Sequence, residues 1–141
     1  GKAPAEPNAA AGGVSCSDPA SIGALRALPP SLVFTPIDLG PAILAATPHQ
    51  VTAAPYHRND LSIRRTIVFF TRSGDEAKSA FAQSGAGYLV FCPNSSEARA
   101  YATIAPDGLA SLLLAGDRPA WLRPVAIDGA GGLEIYRLDP G

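Results

Sequence analysis

The sequence predicts a three-layer α/β domain with a mixed, mostly parallel sheet of about five strands and a C-terminal hairpin. Three observations carry this reading. Residues 86–92 are apolar along nearly their whole length and stop at Pro93, as a central strand covered on both faces requires. Strand-like runs at residues 32–37 and 51–54 alternate with segments of helical spacing, the pattern of strands joined by crossovers. Residues 125–127 and 133–138 are separated only by the turn at 128–132, so they pair as an antiparallel hairpin.

The elements follow in order. Residues 1–14 are Ala, Pro and Gly with few large side chains, too little apolar area to offset ordering, and read as a flexible linker. Residues 15–141 read as a single domain. Asp18 caps a helix over 19–28 with Pro19 at its first position, and Ile22, Leu25 and Leu28 form its apolar face. Pro29 and Pro30 end it. After the first strand, Asp38 is the expected N-cap of a helix through Ala46, with Pro41 in its first turn and Pro48 beyond its end. The second strand runs into Pro55 and the polar corner Tyr56, His57, Arg58, Asn59.

Asn59 or Asp60 then caps a longer helix. Residues 66–70 also suit a strand by propensity. Helix is preferred because a second helical segment, 75–83, follows the break at Ser73 and Gly74 and places Ala77, Ala80 and Phe81 on one face. Residues 94–101 read as a short helix containing Glu97 and Ala98. Residues 107–115 read as a compact helix burying Leu109, Leu112 and Leu113, stopped by Gly116. Trp121 lies in an irregular approach to the hairpin and reads as core.

Composition narrows the function classes. Charged residues are only 16% of the chain, a thin polar coat that leaves surface for a partner or a membrane. A net charge of −1 gives no electrostatic footprint for nucleic acid. No apolar run reaches the roughly 20 residues of a membrane helix. The N-terminus lacks a basic region followed by an apolar core, so no signal peptide is read. The chain starts at Gly1 and contains no Met, and the expectation is a piece of a longer protein with any anchor upstream.

The candidate ligand-binding residues are Asp38, His49, His57, Arg58 and Asn59. Polar residues at the carboxyl ends of parallel strands line the usual ligand crevice. If the first two strands are parallel neighbours, Asp38 and His57 share that rim and Arg58 can hold an anionic group by a forked contact. The same residues also satisfy capping and pairing rules with no ligand. No G-x-S-x-G elbow, zinc-ligand spacing or Gly-rich phosphate loop is present, so no catalytic residue, metal or cofactor is assigned. The one thiol pairing on offer for an enzyme is Cys92 with His57. Cys16 and Cys92 are either bridged or two free thiols, one on a loop and one buried.

Residues 37–59, IDLGPAILAATPHQVTAAPYHRN, resemble a segment of large bacterial multi-pass membrane proteins similar to lipid-linked-sugar-dependent glycosyltransferases. YLVFCP at 88–93, APDGLASLL at 105–113 and the run at 117–122 fit the same tail domain. The resemblance implies a non-catalytic domain on the extracytoplasmic, periplasmic face of the inner membrane, accessory to glycosyl transfer. Its implied partners are the membrane-embedded part of the same protein and a sugar or lipid-linked sugar. An extracytoplasmic position makes a Cys16–Cys92 bridge reasonable. The catalytic carboxylates of that class are expected between membrane helices, so none is carried over here. The alternatives are a small-molecule or sugar-binding module at the Asp38, His57, Arg58, Asn59 corner, and a thiol enzyme using Cys92 and His57.

Overall fold

A computed structural model describes residues 16–55 and 60–139. Among these residues a five-stranded sheet of order β2-β1-β3-β5-β4 forms the middle layer. Its strands are β1 (Leu32–Phe34), β2 (Gln50–Val51), β3 (Tyr88–Phe91), β4 (Leu122–Pro124) and β5 (Glu134–Leu138). β1 pairs in parallel with both β2 and β3, whereas β5 runs antiparallel to β3 and to β4. The first two strands are therefore parallel neighbours, and the C-terminal hairpin completes a mixed sheet.

Alternation along each strand sends side chains to two cores. Val33, Val90 and Ile135 join Ile22, Leu25 and Ile43 beneath α1 (Pro19–Ala24) and α2 (Gly40–Ala46). Phe34, Leu89, Phe91 and Tyr136 join a second core under α3 (Asp60–Thr71), α4 (Gly74–Ser84), α5 (Ser96–Ile104) and α6 (Leu109–Leu114). That second core is aromatic. The Phe69 ring lies 4.7 Å from Phe34 and 4.9 Å from Phe70, and Phe70 stacks on Tyr101 at 5.2 Å. Each of these phenylalanines is fully buried, a contribution of about 1.5–3 kcal/mol apiece from area alone. Trp121 meets Phe69 edge-on at 6.3 Å, at the margin of this core.

Most helices lie where their patterns place them. Asp18 caps α1 through the Ser21 N–H, and Ile22, Leu25 and Leu28 are buried. Residues 66–70 are helical, because Thr66, Phe69 and Phe70 form one buried face at helical spacing. Ala77, Ala80 and Phe81 form the buried face of α4, which ends on Gly85 at φ 76°, a left-handed position suited to glycine. Leu109 and Leu113 are buried on α6, but Leu112 is only half-buried.

Four expectations are corrected. The helix expected over 19–28 tightens after Ala24 into a 3-10 turn, Leu25–Ala27, ahead of Pro29. The second strand pairs over Gln50–Val51 rather than 51–54, although Thr52 N–H still reaches Val33 O at 3.0 Å. The penultimate strand is Leu122–Pro124 rather than 125–127, because fully buried Leu122 anchors it to the aromatic core. Pairing then ends one residue later, with Val125 N–H on Ile135 O at 2.8 Å. Asp38 does not cap α2. It lies within a 3-10 turn, Ile37–Leu39, that leads into the helix without a side-chain cap. The expected linker at residues 1–14 lies outside the described residues.

Candidate functional site

From β1 the chain passes through α2 to β2 on one side. From β2 it passes through α3 and α4 to β3 on the other side. The sheet thus has its topological switch point between β1 and β3, where the loops leaving two parallel strands diverge and a crevice forms at their carboxyl ends. A cavity of about 270 Å³ opens there. Pro36, Asp38 and Leu39 line it from the loop after β1, and Cys92, Asn94 and Ser96 from the loop after β3.

Three local devices build the crevice. The first is Ser95, which caps α5 by accepting the Ala98 N–H at 3.1 Å while its hydroxyl donates to Cys92 O at 2.8 Å. The second is Glu97 in the first turn of α5. Its carboxylate accepts Ile37 N–H at 2.7 Å, Asp38 N–H at 2.8 Å and the Tyr101 hydroxyl at 2.5 Å. One side chain from α5 therefore supplies the acceptors that the turn before α2 lacks, and joins the two loops across the switch point. The third is a disulfide between Cys16 and Cys92, with Cα atoms 5.8 Å apart. It brings Ser17 to the crevice wall.

Burial first, then the Glu97 hydrogen bond and the Glu97 and Asp38 charges, push the Tyr101 hydroxyl far above its usual value. Tyr101 therefore stays a protonated donor to Glu97. Tyr136, bonded to Glu134 at 2.7 Å, is raised chiefly by burial as well.

The sequence candidates separate. Asp38 reaches the rim and is exposed beside the cavity. His49 lies at the opposite end of the sheet, ahead of β2, and is 2% exposed. Its Nδ1 accepts the Ser31 N–H at 3.2 Å and its Nε2 faces Leu25 O at 2.7 Å. A carbonyl only accepts and a backbone N–H only donates, so both ring nitrogens are committed and the proton is on Nε2. His49 is a tie between α1, β1 and β2, and takes no part in the Asp38 rim. His57, Arg58 and Asn59 lie outside the described residues. Cys92 is bonded to Cys16 and 5% exposed, which corrects the thiol-enzyme alternative: it offers no thiolate.

Glu97 is the residue that sequence reasoning missed. Its signal was present in the spacing of Ser95, Glu97 and Tyr101, which puts an N-cap, a first-turn acid and an i,i+4 partner on one short helix. Its reach to Ile37, 60 residues away, has no local signature.

No protein-family model matches this chain, and no curated protein matches it. Among solved structures it is similar to the crystal structure of the C-terminal globular domain of oligosaccharyltransferase from Archaeoglobus fulgidus. The TM-score is 0.66 at 14% sequence identity, covering 89% of this chain and 98% of that one. At such low identity the likeness is one of fold, and it spans essentially the whole of that domain. The chain therefore has the mixed α/β fold of an oligosaccharyltransferase C-terminal globular domain.

Proposed function

We propose that this chain is a non-catalytic, extracytoplasmic domain of a membrane protein, accessory to glycosyl transfer and packed on the membrane-embedded part of the same protein. The observation that carries the reading is the fold likeness, which runs across 98% of the oligosaccharyltransferase domain. The Cys16–Cys92 bridge agrees with an oxidising compartment. Among the described residues no helix is long and apolar enough to cross a membrane, so on this reading the anchor belongs to another part of the protein. The test is a topology reporter, alkaline phosphatase, joined after Asp139 in the full-length protein. An active reporter in the membrane fraction is expected. An inactive one, with a cytoplasmic reporter active at the same position, contradicts the proposal.

A second reading is favoured by the cavity at the switch point: a small-molecule or sugar-binding module at this rim. Asp38 supplies an acceptor for ligand hydroxyls. His57, Arg58 and Asn59, the other candidates of this reading, lie outside the described residues. Titration of the isotope-labelled chain with neutral hexoses should shift amide signals of residues 36–39 and 94–97, and Asp38→Asn should abolish the shifts. Unmoved signals at millimolar hexose remove this reading and leave the first intact.

A further inference from the structure

On the α1 side of the sheet, at the opposite rim from the crevice, three side chains form a row across neighbouring strands. Arg123 on β4 stands directly opposite Arg137 on β5. β5 pairs with β3 as Leu89 with Tyr136, so one further step of that register sets Tyr88 beside Arg137. Ile135 faces the α1 and α2 core and Tyr136 the other, which puts Arg137, and with it Arg123, on the α1 side. A cavity of about 420 Å³ opens at the Tyr88 and Arg137 end of this row, lined by Pro29, Pro30, Tyr88, Arg137 and Leu138, with Arg123 one strand beyond its wall.

Like charges directly opposite in an antiparallel pair destabilise a sheet. Among the described residues one carboxylate is ion-paired to these two arginines: Asp139 lies 3.2 Å from Arg123 Nη2, with half of the Arg123 side chain still exposed. Among the described residues Arg137 has no ion-pair partner. Edge protection explains a charge on β4, which also carries Pro124, because an outer strand needs features that block further pairing. It does not explain Arg137, whose strand lies between β3 and β4 with both edges already paired. Local rules are broken in this way where a site needs the residue rather than the fold.

We infer that Arg137, with Arg123, binds the phosphate group of a ligand whose apolar or ring portion rests on Tyr88, Pro29 and Pro30. The Arg137 guanidinium at the cavity offers a fork of donors to phosphate oxygens, Arg123 on the adjacent strand adds a second positive charge, and the excess of positive charge over Asp139 is neutralised on binding. The prolines and the tyrosine ring supply an apolar wall at one side of that charge. The phosphate belongs either to a soluble phosphate ester or to a lipid headgroup, two sources with the same chemistry at Arg137.

The test uses the whole chain at constant ionic strength. In one arm, amide signals are followed while chloride is replaced by inorganic phosphate and then by methyl phosphate. Saturable shifts at Ser31, Gly87, Tyr88, Arg137 and Leu138 are expected, weakened at least about tenfold in Arg137→Ala and unchanged in Arg64→Ala on α3. In the other arm, the chain is sedimented with phosphatidylglycerol vesicles. Binding that Arg137→Ala removes, with little response to free phosphate, assigns the lipid headgroup as the source. Shifts that do not saturate or that survive Arg137→Ala, together with no Arg137-dependent vesicle binding, overturn the inference. A second measurement reads the fold alone. In phosphate-free buffer Arg137→Thr should raise Tm, since it removes the like-charge pair, whereas a fall in Tm shows that Arg137 serves the sheet and also overturns the inference.

Discussion

Replacing Glu97 with alanine removes the acceptor that joins the loops after β1 and β3. Its carboxylate holds three donors: the N–H groups of Ile37 and Asp38 and the hydroxyl of Tyr101. Asp38 is exposed, so water takes over its N–H and that bond contributes close to nothing. Ile37 is half-buried and Tyr101 is 7% exposed, so their donors lose a charged partner that water replaces poorly. Each such loss costs about 1–3 kcal/mol. Glu97→Ala should therefore destabilise the domain by about 2–6 kcal/mol, against a total of about 5–15 kcal/mol for a protein of this kind. The corresponding fall in Tm is about 10 °C or more. Urea unfolding followed by circular dichroism and by Trp121 fluorescence gives the number, and the slope with urea should stay constant. Glu97→Gln keeps one acceptor and should lose about half as much. A double-mutant cycle with Tyr101→Phe should return a coupling of about 1 kcal/mol. A loss within 0.5 kcal/mol of zero for Glu97→Ala, roughly the spread of an ordinary surface substitution, refutes the claim that this carboxylate holds the rim together.

Four further outcomes follow from the same geometry. His49→Ala strands Leu25 O and Ser31 N–H inside the protein and should cost about 2–4 kcal/mol in urea unfolding; a neutral result shows that the ring is not a tie. Gly40→Ala places a Cβ 2.5 Å from Ala53 O, a backbone atom that cannot swing aside, and should cost about 1–3 kcal/mol, whereas an unchanged midpoint contradicts that packing. Removing the bridge by Cys16→Ser with Cys92→Ser frees a loop of sequence separation 76 and should cost about 4 kcal/mol; equal stability with and without the bridge contradicts its structural role. Tyr101 and Tyr136 are raised above the ordinary value of 10.0, so the unfolded chain ionises first as pH rises. Their share of stability is complete below about pH 10 and is lost above it. An unfolding series from pH 8 to 11.5 should show that loss, and Tyr101→Phe should flatten it; a wild-type curve already flat through pH 11 is the contrary result.

Much of the fold was legible because its signals are local. The apolar run of β3, the capping by Asp18 and the buried faces of α3 and α4 each follow from neighbours within a few residues. Residues 66–70 show the limit. Their β-branched and aromatic side chains suit a strand, and helix wins because Thr66, Phe69 and Phe70 share one face against Phe34 and Phe91. The hairpin was legible as a pairing and not as a register, since its position is set by Leu122 entering a core built largely from distant helices.

The candidate site was less legible. Asp38 arrived at the expected rim because it follows a strand that proved parallel to its neighbour. It was given the role of cap, but α2 has no side-chain cap, and the carboxylate that holds the turn before it is Glu97, a partner from α5 that nothing near Asp38 in sequence announces. His49 follows Asp38 by 11 residues in sequence, yet α2 carries the chain back along the sheet before β2 begins, so the two lie at opposite ends. Proximity along the chain is a poor guide when an element that runs the length of the sheet intervenes, because its two ends open on opposite rims.

The account rests most directly on the compartment in which this domain folds. Whole cells expressing the full-length protein can be treated with a thiol-alkylating reagent before and after reduction, and the mass of the peptides holding Cys16 and Cys92 compared. The account predicts that both cysteines are unlabelled before reduction and labelled after it. Labelling of both without reduction, in a protein that is otherwise folded, contradicts an extracytoplasmic accessory domain.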